Sequence, residues 1–117
     1  MKKNELEKRI SNKIYSKDDL DYFKFLLSVE KQKIQSTEII FNHTIYQGTK
    51  NLSRYLQLYE LFKSVHKLSG HIADVGTYKG ASLFYFSKLI KIFQPNSLTK
   101  VYGFDWFKGQ IPKKMTI

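Results

Sequence analysis

Asp74-Val75-Gly76-Thr77-Tyr78-Lys79-Gly80-Ala81-Ser82 stands where the hydrophobic period of the chain changes. The residues ahead of Gly76, His71-Ile72-Ala73-Asp74-Val75, form a short and mostly apolar run, which predicts a strand buried on both faces. From Ala81 to Phe93 the apolar positions Leu83, Phe84, Phe86, Leu89, Ile90 and Phe93 give a broad helical surface, and Pro95 with Asn96 ends it. A second short apolar run, Lys100-Val101-Tyr102-Gly103-Phe104-Asp105, closes on an acid. Strand, glycine turn, helix and strand make a βαβ unit, whose right-handed crossover sets the two strands side by side and parallel. The fold class is therefore α/β.

Toward the amino terminus the period is helical throughout, so the chain divides at 68/69 into a helical segment, 1–68, and the βαβ unit, 69–117. Ser16 followed by Asp18 and Asp19 predicts a helix start, since the exposed N–H groups of a first turn favour acids. Leu20, Phe23, Leu26, Leu27 and Ile34 carry that helix over about 17–35. Ser36 to Lys50 reads either as a short helix or as an extended piece, with a turn at Gly48 and Asn51. Ser53 is expected to cap a further helix with Tyr55, Leu58, Leu61, Phe62 and Val65 on one face, stopped by Gly70.

Composition narrows the classes of function. The chain has 117 residues, 42 % of them hydrophobic and 15 % aromatic, which is too much core-forming side chain for a disordered segment. It has no cysteine, which excludes disulfides, cysteine nucleophiles and thiolate metal sites and suits a reducing, cytoplasmic compartment. No apolar run approaches the roughly 18 residues that span a bilayer, and the charged start offers no secretion signal, so no membrane partner is expected. The net charge of +10 is spread evenly, +5 in residues 1–68 and +5 in 69–117, with only two arginines, Arg9 and Arg54. That distribution argues against a dedicated nucleic-acid surface. His43, His66 and His71 lack metal-ligand spacing and are read as structural, and Ser82 has no triad partners.

Gly76 permits a sharp turn, and Gly80 removes a Cβ where a ligand or the strand must come close. Both sit at the carboxyl edge of the first strand, where open α/β sheets bind ligands. Asp105 ends the second strand 25 positions beyond Gly80, where an acid can accept from both hydroxyls of a ribose. A glycine turn also occurs between strand and helix with no ligand at all; Asp105 is what moves the reading toward a site. Gly-x-x-x-Gly lacks the Gly-x-Gly-x-x-Gly pattern that seats a pyrophosphate, and no P-loop is present. An adenosyl ligand without phosphate, whose cationic centre and amino group suit Asp74, fits better, which points to S-adenosylmethionine. The candidate cofactor-binding residues are Asp74, Gly76, Thr77, Tyr78, Gly80, Ser82, Asp105 and Trp106.

Three blocks, Arg54-Tyr55-Leu56-Gln57-Leu58-Tyr59-Glu60-Leu61-Phe62-Lys63, Ile72 to Ser82, and Val101-Tyr102-Gly103-Phe104-Asp105-Trp106-Phe107-Lys108-Gly109, resemble in order and spacing the macrocin O-methyltransferase-like group of class I S-adenosylmethionine-dependent methyltransferases, which includes deoxyhexose 3-O-methyltransferases. The resemblance implies an incomplete Rossmann-like fold in which residues 50 to 110 are the amino-terminal, cofactor-binding part of an enzyme acting on a sugar or glycosylated small molecule. It implies that Asp74, Gly76 and Gly80 hold the methionine part and Asp105 the ribose. Family members usually carry Glu at the position of Asp74, a small hydroxyl residue at Trp106 and an acid at Lys108. Magnesium-binding and catalytic carboxylates lie further along the family sequence, so magnesium is expected only in a longer form, and this chain by itself is expected to be inactive. A two-stranded sheet with an open apolar edge is further expected to be weakly stable, to self-associate, or to be a truncated product. The alternatives are a non-catalytic basic module for an acidic partner or RNA, and an inactive gene remnant.

Overall fold

The computed structural model describes residues 2–108. Six helices and two strands follow in the order α1 (Lys3–Ile10), α2 (Lys17–Gln32), α3 (Ser36–Phe41), α4 (His43–Tyr46), α5 (Thr49–Val65), β1 (Ile72–Val75), α6 (Ala81–Phe93) and β2 (Val101–Phe104). The strands are parallel neighbours in register Ile72↔Val101 to Val75↔Phe104, and the architecture is mixed α/β. Two compact units divide the chain, Met1–Leu52 and Ser53–Ile117. No helix among the described residues is long and apolar enough to cross a membrane.

In the first unit, α2 begins as expected: Ser16 Oγ accepts the Asp19 N–H at 3.3 Å and donates to the Asp19 carboxylate at 2.8 Å. It ends at Gln32 and not near 35, because Lys33 turns left-handed at φ 52°. The charged amino terminus, part of the segment read as helical but given no helix bounds of its own, forms α1. Leu6 and Phe23 are the buried residues of α1 and α2, and Tyr15 packs edge-on against Phe23 with ring centroids 5.0 Å apart. The ambiguous stretch after Ser36 resolves into two short helices. Gly48 precedes α5 because a Cβ there would lie 2.9 Å from the Tyr22 ring.

The second unit is built on α5 and α6. Phe62, Leu89 and Ile90 form its buried cluster, with Tyr59, Ile72, Tyr85, Phe86 and Val101 packed around them. Helix α5 thus belongs to the core of the strands, and the change of period at 68/69 falls in the α5–β1 connection. The helix starts at Thr49, which places Ser53 in its second turn and not at its cap, and it ends at Val65, five residues before Gly70. Its covered stripe runs through half-buried Tyr55, Leu58 and Tyr59 to buried Phe62, while Leu61 and Val65 are exposed. Tyr85 donates to the Tyr55 carbonyl at 2.9 Å, and burial pushes its hydroxyl pKa up.

Helix α6 spans Ala81–Phe93, as the apolar pattern predicts, and covers one face of the sheet. The expectation that β1 is buried on both faces is corrected, and β2 shows the same pattern. Ile72, Asp74, Val101 and Gly103 are half-buried, whereas Ala73, Val75, Tyr102 and Phe104 are exposed. Strict alternation with one solvated face is the pattern of a half-covered sheet. Five hydrophobic residues are buried against twenty large ones exposed, so the core is small among the described residues. At roughly 1.5–3 kcal/mol for each fully buried side chain, each of those five matters to a fold of marginal stability.

Gly103 sets the approach of α6. A Cβ at 103 would stand 2.6 Å from Leu83 Cδ1 and 3.1 Å from the Thr77 side chain. Gly103→Ala is expected to destabilise the chain by about 1–3 kcal/mol as Leu83 is forced off its place, read as a lower urea midpoint at unchanged slope. In the first unit the Lys50 ammonium, 2.7 Å from the Asp19 carboxylate, and the Ser16 hydroxyl hold that carboxyl below its usual range. A lowered folded pKa adds stability above the unfolded value of about 3.9 and loses it as the pH falls further. The difference in thermal midpoint between wild type and Asp19→Asn should therefore be present above about pH 4 and close below it.

Candidate functional site

The turn that joins β1 to α6 is fastened to the carboxyl end of β2 by its own backbone. The Gly76 N–H donates to the Phe104 carbonyl at 2.7 Å, and the Thr77 N–H to the same oxygen at 3.3 Å. Tyr78 follows in the left-handed region at φ 51°, unusual for a residue with a Cβ. Its N–H donates to Asp105 Oδ2 at 2.6 Å. Three successive N–H groups of the turn are thus spent on the end of the second strand. The other oxygen of Asp105 accepts the N–H of Trp106 at 2.6 Å.

Asp74 and Thr77 complete the inner side of the turn. Asp74 is half-buried under α6, and its Oδ2 accepts the Thr77 hydroxyl. That bond satisfies a carboxylate that would otherwise be costly to cover. Gly80 closes the turn at φ 88° as the residue ahead of α6; its N–H donates to the Thr77 carbonyl at 2.8 Å and its carbonyl accepts from Phe84 at 2.8 Å. A Cβ on Gly80 would meet the Phe84 ring at 3.2 Å, whereas nothing lies within 4 Å of the corresponding point on Gly76. The backbone at Gly76 is open.

Of the eight candidate residues, the fold gathers Asp74, Gly76, Thr77, Tyr78, Gly80, Asp105 and Trp106 at the carboxyl ends of the two strands. Ser82 is committed elsewhere. It is buried in the first turn of α6, and its hydroxyl accepts from Arg54 Nη2 on α5 at 2.6 Å. Sequence reasoning missed this contact. Its signal is that Arg54 is one of two arginines in a chain of 20 basic residues, at the head of the helix that packs on α6. A rigid guanidinium reaches a buried hydroxyl better than a flexible ammonium.

Electrostatically the site mixes one exposed acid with two cations. Lys79 Nζ lies 5.6 Å from the centre of the Tyr78 ring and Lys108 Nζ 5.4 Å from that of Trp106, and both rings are largely exposed. Each such cation–π pair contributes about 0.5–1 kcal/mol at an exposed position. Each carboxylate oxygen of Asp105 carries a second acceptor position beyond its backbone bond, so the group can take hydroxyl donors from a ligand. Among the described residues no three His, Asp or Glu side chains converge as a metal site would require.

The Asp105 link has a local readout. In Asp105→Ala the Tyr78 N–H loses its acceptor, and its hydrogen exchange should rise at least about tenfold, consistent with loss of a charge-assisted bond of roughly 1.5–3 kcal/mol. The amides of Leu89 and Ile90 in the α6 core should be unaffected. Comparison with family models, with curated proteins and with solved structures finds no match to the chain.

Proposed function

We propose that the chain holds S-adenosylmethionine at the carboxyl ends of β1 and β2, as the amino-terminal, cofactor-binding part of an O-methyltransferase acting on a sugar or glycosylated small molecule. In this reading the βαβ unit is the beginning of a Rossmann-like sheet, and the cysteine-free composition suits a cytoplasmic setting. The observation that carries it is the 2.6 Å bond between the Asp105 carboxylate and the Tyr78 N–H, which joins the acid ending the second strand to the glycine turn after the first. Acid and turn stand together at the carboxyl ends of the strands, the edge at which open α/β sheets take ligands.

The residues present suit the ligand. Asp105 keeps free lone pairs for the two ribose hydroxyls, and its backbone bonds to Tyr78 and Trp106 hold it in orientation. Gly76 leaves its backbone uncovered, so a ligand can approach without meeting a Cβ. Asp74, held by the Thr77 hydroxyl, supplies negative charge under the turn for a sulfonium or amino group. The bound cofactor supplies an activated methyl group open to attack by a hydroxyl. These residues bind and orient it, and the proposal assigns acceptor binding and deprotonation to none of them. The described residues do not fit a magnesium site, and no step is drawn through one.

Titration calorimetry of the chain with S-adenosylhomocysteine tests the proposal. Binding in the micromolar range, weakened at least about tenfold in Asp105→Ala, is the expected result. Absence of binding at millimolar ligand, or binding unchanged by Asp105→Ala, overturns it.

A further inference from the structure

Arg54 reaches from α5 to the first turn of α6, where its Nη2 donates to the hydroxyl of buried Ser82 at 2.6 Å. Ser82 stands two positions beyond Gly80, the residue that closes the glycine turn. A guanidinium carries five N–H donors in a planar fork. Ser82 takes one of them. Among the described residues Arg54 has no other hydrogen-bond partner and no carboxylate within ion-pair distance. The residue is exposed, and the Tyr55 ring, its centre 5.9 Å from Cζ, flanks the guanidinium. A fixed cation with open donors therefore stands at the α6 side of the turn.

We propose, resting on the adenosyl reading above, that Arg54 binds the carboxylate at the amino-acid end of the ligand. Besides its adenine, S-adenosylmethionine presents ribose hydroxyls, a cationic centre with an amino group, and a carboxylate. Asp105 suits the hydroxyls and Asp74 the cationic centre and amino group, but both acids repel the carboxylate. A cation has to offset that repulsion. The carboxylate shares a carbon with the amino group assigned to Asp74, which is half-buried under α6, so it falls on the α6 side of the turn, where Arg54 stands. Lys79 and Lys108 are the other cations of the site, and they lie over the rings of Tyr78 and Trp106, the two residues whose N–H groups bind Asp105. Their flexible stems lose freedom when they grip a ligand, whereas Arg54 is already held by a buried hydroxyl. Its fork also matches a carboxylate in bidentate fashion. Ser82 then serves the site indirectly, by holding the guanidinium in place.

Titration calorimetry of the 117-residue chain with two probes tests it: S-adenosylhomocysteine, and its decarboxylated analogue, which keeps the adenosine and the amino group. The wild type is expected to bind the decarboxylated probe at least about tenfold more weakly. Arg54→Ala should weaken S-adenosylhomocysteine at least about tenfold and leave the decarboxylated probe within about twofold of wild type. Arg54→Gln keeps an N–H donor for Ser82 and loses only the charge, so it decides the matter should Arg54→Ala lose the wild-type far-ultraviolet spectrum, and it should show the same selective loss. Equal weakening of both probes in Arg54→Gln identifies a purely structural residue and overturns the proposal. Unchanged binding of both probes in the two Arg54 variants overturns it too, as does a preference for the carboxylate that disappears in Lys79→Ala and survives in Arg54→Gln. A wild type that binds neither probe overturns the adenosyl reading itself, a result distinct from binding without discrimination between them.

Discussion

The absence of a side chain at Gly103 governs how closely α6 lies on the sheet, and the candidate site is assembled by that closeness. With Leu83 Cδ1 filling the space where a Cβ would stand, the helix is seated low on β2, and Thr77, 3.1 Å from the same point, is carried over the end of the strand. From there the N–H groups of Gly76 and Thr77 reach the Phe104 carbonyl, and Tyr78 reaches Asp105. Interiors pack too densely to absorb a displaced helix without loss of contacts. The Phe62, Leu89 and Ile90 cluster depends on the same seating, since Ile72 and Val101 close it from the sheet.

Much of the second unit was legible in the sequence. Helix α6 was readable to the residue because a broad apolar surface, a glycine before it and a proline after it all agree. The parallel pairing followed from the βαβ pattern. The gathering of Asp105 with the glycine turn was implied by their places at the ends of neighbouring strands. What the pattern could not convey is which donors the acid meets. Asp105 and Tyr78 are 27 positions apart, and their bond depends on a left-handed Tyr78 that no residue type announces.

The misreadings have physical causes. Ser53 resembles a cap because serine favours helix starts, but the Leu52 N–H already donates to the Gly48 carbonyl and the helix extends back to Thr49. Leu61 and Val65 sit at helical spacing yet point away from α6, since a single stripe through Phe62 suffices for one neighbouring helix. The run at β1 suggests burial on both faces because it is mostly apolar, and hydrophobicity alone does not say whether anything covers the second face. Ser82 was grouped with the turn by adjacency, whereas the helix rotates its hydroxyl toward Arg54.

The connectivity also sets the entropic cost of forming the sheet. Helices α5 and α6 gain their hydrogen bonds from near neighbours in sequence, but the strands are joined only across an intervening helix, with His71 and Lys100 bonded at a separation of 29 positions. Each strand has four residues, so the ladder has few bonds to repay the entropy of closing that loop. Pairing of high sequence separation is the slow step in small domains. Contacts within α5 and α6 are local, whereas the pairing of Ile72 with Val101 is not, and local contacts are the faster to form. The bond between Tyr78 and Asp105 lies beyond the last rung at Val75 and Phe104 and spans 27 positions, so it shares the loop-closure cost of the ladder.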